Sequence, residues 1–110
     1  LLDKMTQMLD QEYLLHDVLD DADSFRESES SAMLAYAIYS LKAEGVLPDG
    51  FWEIAERIRL ALSAKITTEG LVSDACSSPD FVHPGTAVEC QAHFLMMEEA
   101  RRRSDGLLKK

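Results

Sequence analysis

The chain has little cysteine and more acid than base, and each excludes something. Two cysteines in 110 residues, Cys76 and Cys90, are too few for a disulfide framework, and they lack the close spacing of a zinc knuckle. Cys90 sits in a helical apolar pattern and reads as a buried free thiol; Cys76 lies in a loop, and a Cys76–Cys90 bridge is the alternative. With 11 basic against 20 acidic residues the formal charge is −9. That favours solubility and argues against a nucleic-acid partner, because phosphate binding needs a basic surface. The single basic cluster, Arg101-Arg102-Arg103, closes a predicted helix, where cations suit the macrodipole, and reads as a solvated helix end. No apolar run approaches the roughly 20 residues of a membrane span. Leu1-Leu2-Asp3-Lys4 is not a basic region leading into an apolar stretch, so no signal peptide is visible. The chain does not begin with Met and is expected to start inside a longer product or after processing. The compartment stays unknown, the cytoplasm being favoured over secretion for a soluble chain.

Catalytic patterns are also scarce. The nucleophile elbow G-x-S-x-G is absent, and no His/Cys/Asp set has metal-ligand spacing. His16 before an acidic loop reads as a hydrogen-bonded structural residue, His83 before Pro84 as loop scaffolding, and His93 as a packed or surface histidine.

What is present is helical. At 46% hydrophobic content, 110 residues suffice for a single unit, 1–110, with one core. Leu1, Leu2, Met5, Met8 and Leu9 recur at helical spacing. The period fades near Asp10, and 16–21 reads as a short extended segment entering an acidic loop. Ser24-Phe25-Arg26-Glu27 fits a capping box, a start three residues later being equally compatible. The helix that follows, about 28–44, is apolar on every side through Ala32-Met33-Leu34-Ala35-Tyr36-Ala37-Ile38-Tyr39, the mark of a helix covered all round. Gly45 ends it and Pro48-Asp49-Gly50 makes the turn. The next helix, about 51–65, carries one stripe of Phe51, Ile54, Ala55, Ile58 and Leu62, with Glu53, Glu56, Arg57 and Arg59 facing water. Phe51 and Trp52 are expected to pack against the inner helix. A short strand is expected at Gly70-Leu71-Val72, then a long loop through Gly85. A second capping box, Thr86-Ala87-Val88-Glu89, opens a helix of about 86–103 whose first half is again nearly all apolar.

Buried helix, amphipathic helix, loop, buried helix is the rhythm of concentric helical barrels, whose inner ring is covered on all sides and outer ring on one. The expected fold is all-α: about two helical hairpins of an (α/α)6 barrel, a partial barrel. Six hairpins at this spacing need on the order of 330 residues.

At this point the chain resembles a known family. The run Asp20-Asp21-Ala22-Asp23-Ser24-Phe25-Arg26-Glu27-Ser28-Glu29-Ser30-Ser31-Ala32-Met33-Leu34-Ala35-Tyr36-Ala37-Ile38 is similar to the D-D-P-x-S-x-x-E-T-S-x-T-A-M-x-x-Y-A-I segment of glycoside hydrolase families 88 and 105. Gly70-Leu71-Val72, Cys76, Pro79-Asp80-Phe81, Pro84-Gly85-Thr86-Ala87, Glu89, Gln91-Ala92 and Phe94-Leu95-Met96-Met97-Glu98 resemble the closing segment of its larger members. The matches run through nearly the whole chain, in order.

The resemblance implies a six-hairpin glycosidase whose C-terminal portion this is. It implies an oligosaccharide substrate of the pectin or glycosaminoglycan type, from which a 4,5-unsaturated uronic acid is released at the non-reducing end. In that reaction an aspartic acid protonates the C4=C5 double bond and water adds to the vinyl ether, so the resemblance implies no metal or other cofactor. The family's aspartate pair lies upstream of everything matched here, so no catalytic residue is assigned and the chain alone is expected to be inactive. In the family, the start of the inner helix lies at the barrel mouth, where a helix N-terminus suits an anion. Ser28 and Ser31 match its hydroxyl residues and are the expected substrate-binding residues, simple capping being the alternative. Three departures stand out: Glu29 replaces the usual Ser, Tyr13-Leu14-Leu15 replaces Gly-Leu-Trp, and Ala22 replaces the loop proline. A rival from another class is a non-catalytic helical module that buries its apolar helices against a partner chain, because 110 residues cannot cover Ala32–Tyr39 and Ala92–Met97 together.

Overall fold

A computed structural model describes residues 1–108. Four helices make up the fold: α1 (Leu2–Gln7), α2 (Ser28–Ala43), α3 (Phe51–Ser63) and α4 (Val88–Leu108). A single pair of two-residue strands, β1 (Ala75–Cys76) and β2 (Pro84–Gly85), lies antiparallel with Ala75 opposite Gly85.

The hydrophobic pattern explains the packing. α3 turns Ala55, Ile58 and Leu62 inward at the expected i, i+3, i+4 spacing. α2 is packed against both α3 and α4, and Ala32, Ala35, Ile38 and Tyr39 are fully buried between them. α4 adds Met97 and Ala100, and Leu14 and Leu15 close the core from the preceding loop. The alanines at 32, 35, 55 and 100 leave little bulk between the helices, which allows close approach.

As expected of so short a chain, α2 and α4 are not covered all round: Met33 is 47% exposed on α2, and Val88 (82%), Leu95 (67%) and Met96 (43%) form an open apolar face on α4. Several other sequence expectations are corrected. The expected strand at Gly70-Leu71-Val72 is reduced to a lone bridge between Ile66 and Val72, and the strand pair forms further along. Its tightest point is Gly85, where an added Cβ would lie 2.5 Å from the Ser77 hydroxyl. Ser24 does not cap α2. Its hydroxyl donates to the Asp21 carbonyl at 2.7 Å within the acidic turn, and Glu27 is the N-cap. The helix expected from Thr86 begins at Val88 and continues to Leu108 rather than ending at Arg103.

Neither Glu56, Arg59 nor Arg101 is the freely solvated side chain expected. Tyr39 donates from its hydroxyl to Glu56 Oε1 (2.7 Å), and Arg101 grips the same carboxylate through Nε (2.8 Å) and Nη2 (3.2 Å). Arg59 holds Glu98 in the same two-pronged way, at 2.7 and 3.1 Å. These forks join α3 to α4, and the Tyr39 hydroxyl ties α2 to the first of them. Planar, two-bond geometry of this kind is the strong form of an ion pair. Burial alone would raise the Glu56 carboxyl, but the Arg101 and Tyr39 hydrogen bonds outweigh it and hold it below the ordinary range. Burial, then the Glu56 carboxylate, pushes the Tyr39 hydroxyl far up, so it stays protonated as the donor. The Tyr39 ring also meets Trp52 edge to face, centroids 5.2 Å apart.

Candidate functional site

The N-termini of α2 and α4 belong to one end of the molecule, where three loops converge. Glu27 organises that end. Its side chain, in a residue only 5% exposed, accepts from the backbone N–H groups of Glu29 (2.9 Å), Ser30 (2.8 Å) and Cys76 (3.0 Å). Two of these donors are the orphan N–H groups of a first helical turn; the third belongs to β1. One carboxylate therefore fixes the start of α2 and the strand beside it.

The two expected substrate-binding residues flank this tie and face inward. Ser28 is 1% exposed; its hydroxyl donates to the Ser73 carbonyl at 2.6 Å, and its amide donates to the Asp74 carbonyl at 2.9 Å. Ser31 is wholly buried. Its hydroxyl donates to the Glu27 carbonyl (2.7 Å) and accepts from the Leu15 amide (2.9 Å). Both hydroxyls are thus spent on backbone. Each joins α2 to a different loop, Ser28 to residues 73–74 and Ser31 to residue 15.

Beside them opens a pocket of about 470 Å³. Glu29, Glu89, Cys76, Phe81, Ser77 and Thr86 are among its lining residues. Its charged lining is acidic, and no Lys or Arg lines it. His93 answers Glu29 at 3.1 Å and also reaches the Glu89 carbonyl at 2.8 Å. Sequence reading missed Gln91, whose side-chain amide pairs with both main-chain groups of Val72 (2.9 and 3.0 Å) as a neighbouring strand would. Its presence inside the second matched segment was the available clue.

Both cysteines are free. Burial, with Glu27 and Glu29 nearby, pushes the Cys90 thiol up to about 12, so it is an inert packing residue. Burial, then Asp17 and Glu27, raises Cys76 as well, which argues against a nucleophilic thiol at the pocket. His16 is held as a structural histidine, and His83 meets only Asp80, at 2.8 Å in an exposed loop. Among the described residues no group of three or more His, Cys, Asp or Glu is placed to hold a metal ion. Nor is any helix there long and apolar enough to cross a membrane.

No protein-family model and no curated protein matches the chain. Solved structures do. One, described as a possible member of the GH105 family from Salmonella enterica serovar Paratyphi A, superposes with a TM-score of 0.78 at 20% identity over 94% of this chain. A second, described in the same words and from Klebsiella pneumoniae, gives 0.75 at 20% identity over 92%. The chain spans only 30% and 29% of those two chains. Its resemblance to the family, first carried by sequence segments, is thus matched by solved structures described as possible members, and the chain has the fold of a segment of them.

Proposed function

We propose that this chain is the C-terminal portion of an (α/α)6-barrel glycoside hydrolase that removes a 4,5-unsaturated uronic acid from oligosaccharides by hydrating the vinyl ether. The observation that carries the reading is the likeness over more than nine-tenths of the chain to a segment of two structures described as possible GH105 members. The open apolar faces of α2 and α4 support it, since Met33 and Leu95 stand where inner-ring helices would meet further neighbours. Proton donation to C4=C5 falls to an aspartic acid outside this chain. The portion described here supplies one wall of the mouth.

The test is the polypeptide to which the chain belongs. It should be about three times as long, in keeping with the share of the neighbours covered, and should carry two aspartates on upstream inner-helix starts. A product of only these 110 residues would sink the hydrolase reading.

Within this proposal Ser28 and Ser31 shape the substrate site by positioning its loops, and Glu29 between them faces the sugar. Ser28→Ala in the complete enzyme should cost about 0.5–1.5 kcal/mol of stability and leave KM within about twofold. Glu29→Ser should lower KM for a uronate-bearing disaccharide by removing like-charge repulsion. Steady-state kinetics and melting on both variants check this. A tenfold rise in KM for Ser28→Ala with an unmoved melting point would instead put its hydroxyl on the substrate.

The second reading, a non-catalytic helical module, draws on the same exposed face of α4. It predicts an apolar protein partner and no upstream barrel.

A further inference from the structure

The exposed residues of α4 fall in one straight stripe. Val88, Leu95 and Arg102 form one row with a repeat of seven, and Glu89, Met96 and Arg103 form a second beside it. Ala92 and Glu99 lie between the rows. A repeat of seven holds a seam on one side of a helix, the pattern by which two helices meet along their length. The opposite side, with Cys90, Met97 and Ala100, is spent on the core.

The stripe is also ordered by charge. Its middle is apolar, with Leu95 67% and Met96 43% exposed. Glu89 stands seven positions before Met96, and Arg103 seven positions after it. Turning a second copy end over end about that middle therefore brings each Glu89 opposite the other copy's Arg103. Leu95 and Met96 then meet their own counterparts, Val88 meets the stem of Arg102, and the small Ala92 leaves room for Glu99. Arg103 is the less committed cation of the two. Glu99 holds Arg102 at 2.7 and 2.8 Å, whereas Arg103 lies 3.9 Å from the same carboxylate and is 44% exposed. A parallel pair would instead bring Glu89 level with Glu89 and Arg103 level with Arg103. The apolar centre supplies attraction, and the charged ends select the orientation. A face that matches itself under a two-fold rotation is what a closed dimer needs.

We propose that the 110-residue chain pairs with a second copy of itself through α4, antiparallel, with Leu95 and Met96 at the centre and Glu89–Arg103 ion pairs at the two ends. One helix face falls among the small interfaces, so the dimer is reversible, with a dissociation constant on the order of 10–100 μM. The pairing does not rest on the hydrolase reading. In a complete barrel the same stripe would turn toward the rest of the polypeptide, and the two stand or fall separately.

Sedimentation equilibrium of the 110-residue chain in about 0.15 M salt is the test. At that ionic strength the −9 charge is screened beyond about 8 Å, while pairs in contact persist. The wild type should pass from monomer to dimer as its concentration rises. Leu95→Asp should abolish the dimer, whereas Met33→Asp, in the apolar groove between α1 and α2, should leave it unchanged. Glu89→Arg and Arg103→Glu, each alone, set like charges at both ends and should weaken the dimer about tenfold. An equimolar mixture of those two variants restores opposite charges at both ends. It should form a heterodimer within about threefold of the wild-type affinity, a rescue that misfolded variants could not give. A wild type that stays monomeric up to about 1 mM, or a dimer that Met33→Asp abolishes and Leu95→Asp keeps, would overturn the proposal. So would single reversals that leave the dimer unchanged and a mixture tighter than wild type, the signature of a parallel pair. Should a reversal variant fail to fold, Leu95→Asp and Met33→Asp decide alone.

Discussion

Replacing Glu27 by alanine should cost about 3 kcal/mol or more. Three backbone N–H groups lose their acceptor together. A net hydrogen bond is worth about 1 kcal/mol, with more lost where the orphaned donor stays buried, and a missing N-cap alone costs about 0.5–2 kcal/mol. Folded domains have roughly 5–15 kcal/mol in total, so the variant should fold but melt much earlier. Glu27→Gln keeps an oxygen for one or two of the donors and turns an N–H toward the third, so its loss should fall between wild type and alanine. Urea unfolding, read as a change in midpoint, measures both. A loss below about 1 kcal/mol for Glu27→Ala would mean that the three contacts do not hold the start of α2 to β1.

Leu95→Asp should have opposite consequences in two settings. In the 110-residue chain Leu95 is 67% exposed, and a surface change of this kind stays within about 0.5 kcal/mol. It should also reduce association and hydrophobic-dye binding, because it places a charge in the open face formed with Val88 and Met96. Inside a complete barrel the same side chain would be covered. There the substitution loses roughly 1.5–3 kcal/mol of burial and must also bury a carboxyl, which adds several kcal/mol more. The contrast between the two melting shifts is the observable. Equal, small shifts in both settings would show that α4 keeps an open face in the complete protein, and would favour the helical-module reading.

How much of this was legible beforehand follows from which contacts are local. Helix α3 could be read almost to the residue, because one stripe of Ala55, Ile58 and Leu62 at helical spacing has a single physical meaning. Helix α2 could be placed by its run of small and apolar residues and stopped at Gly45, whose φ of +76° is the left-handed turn that glycine takes without strain. The start of α2 at Ser28 could be placed, but its cap could not, and α4 begins two residues after the expected Thr86. Ser24 satisfies the capping-box spacing, yet the cap falls to Glu27, which also meets the distant amide of Cys76, 49 positions on. Long-range partners of that kind leave no local trace. The same limit applies to Glu56, Arg59 and Arg101, whose helical positions look solvated in one dimension but meet across helices in three. Ser28 and Ser31 could be located but not oriented, since position in a motif says nothing about which carbonyl a hydroxyl will find.

If this chain is, as proposed, one part of a hydrolase whose proton donor lies elsewhere in the polypeptide, only the complete protein should turn over substrate. The direct measurement is the absorbance of an unsaturated uronyl disaccharide, followed in parallel with the complete polypeptide and with residues 1–110 alone. Steady loss of the C=C absorbance is expected with the complete protein and none with the isolated chain. Turnover by residues 1–110, or a folded complete polypeptide that leaves unsaturated disaccharides of both pectin and glycosaminoglycan type untouched, would contradict the proposal.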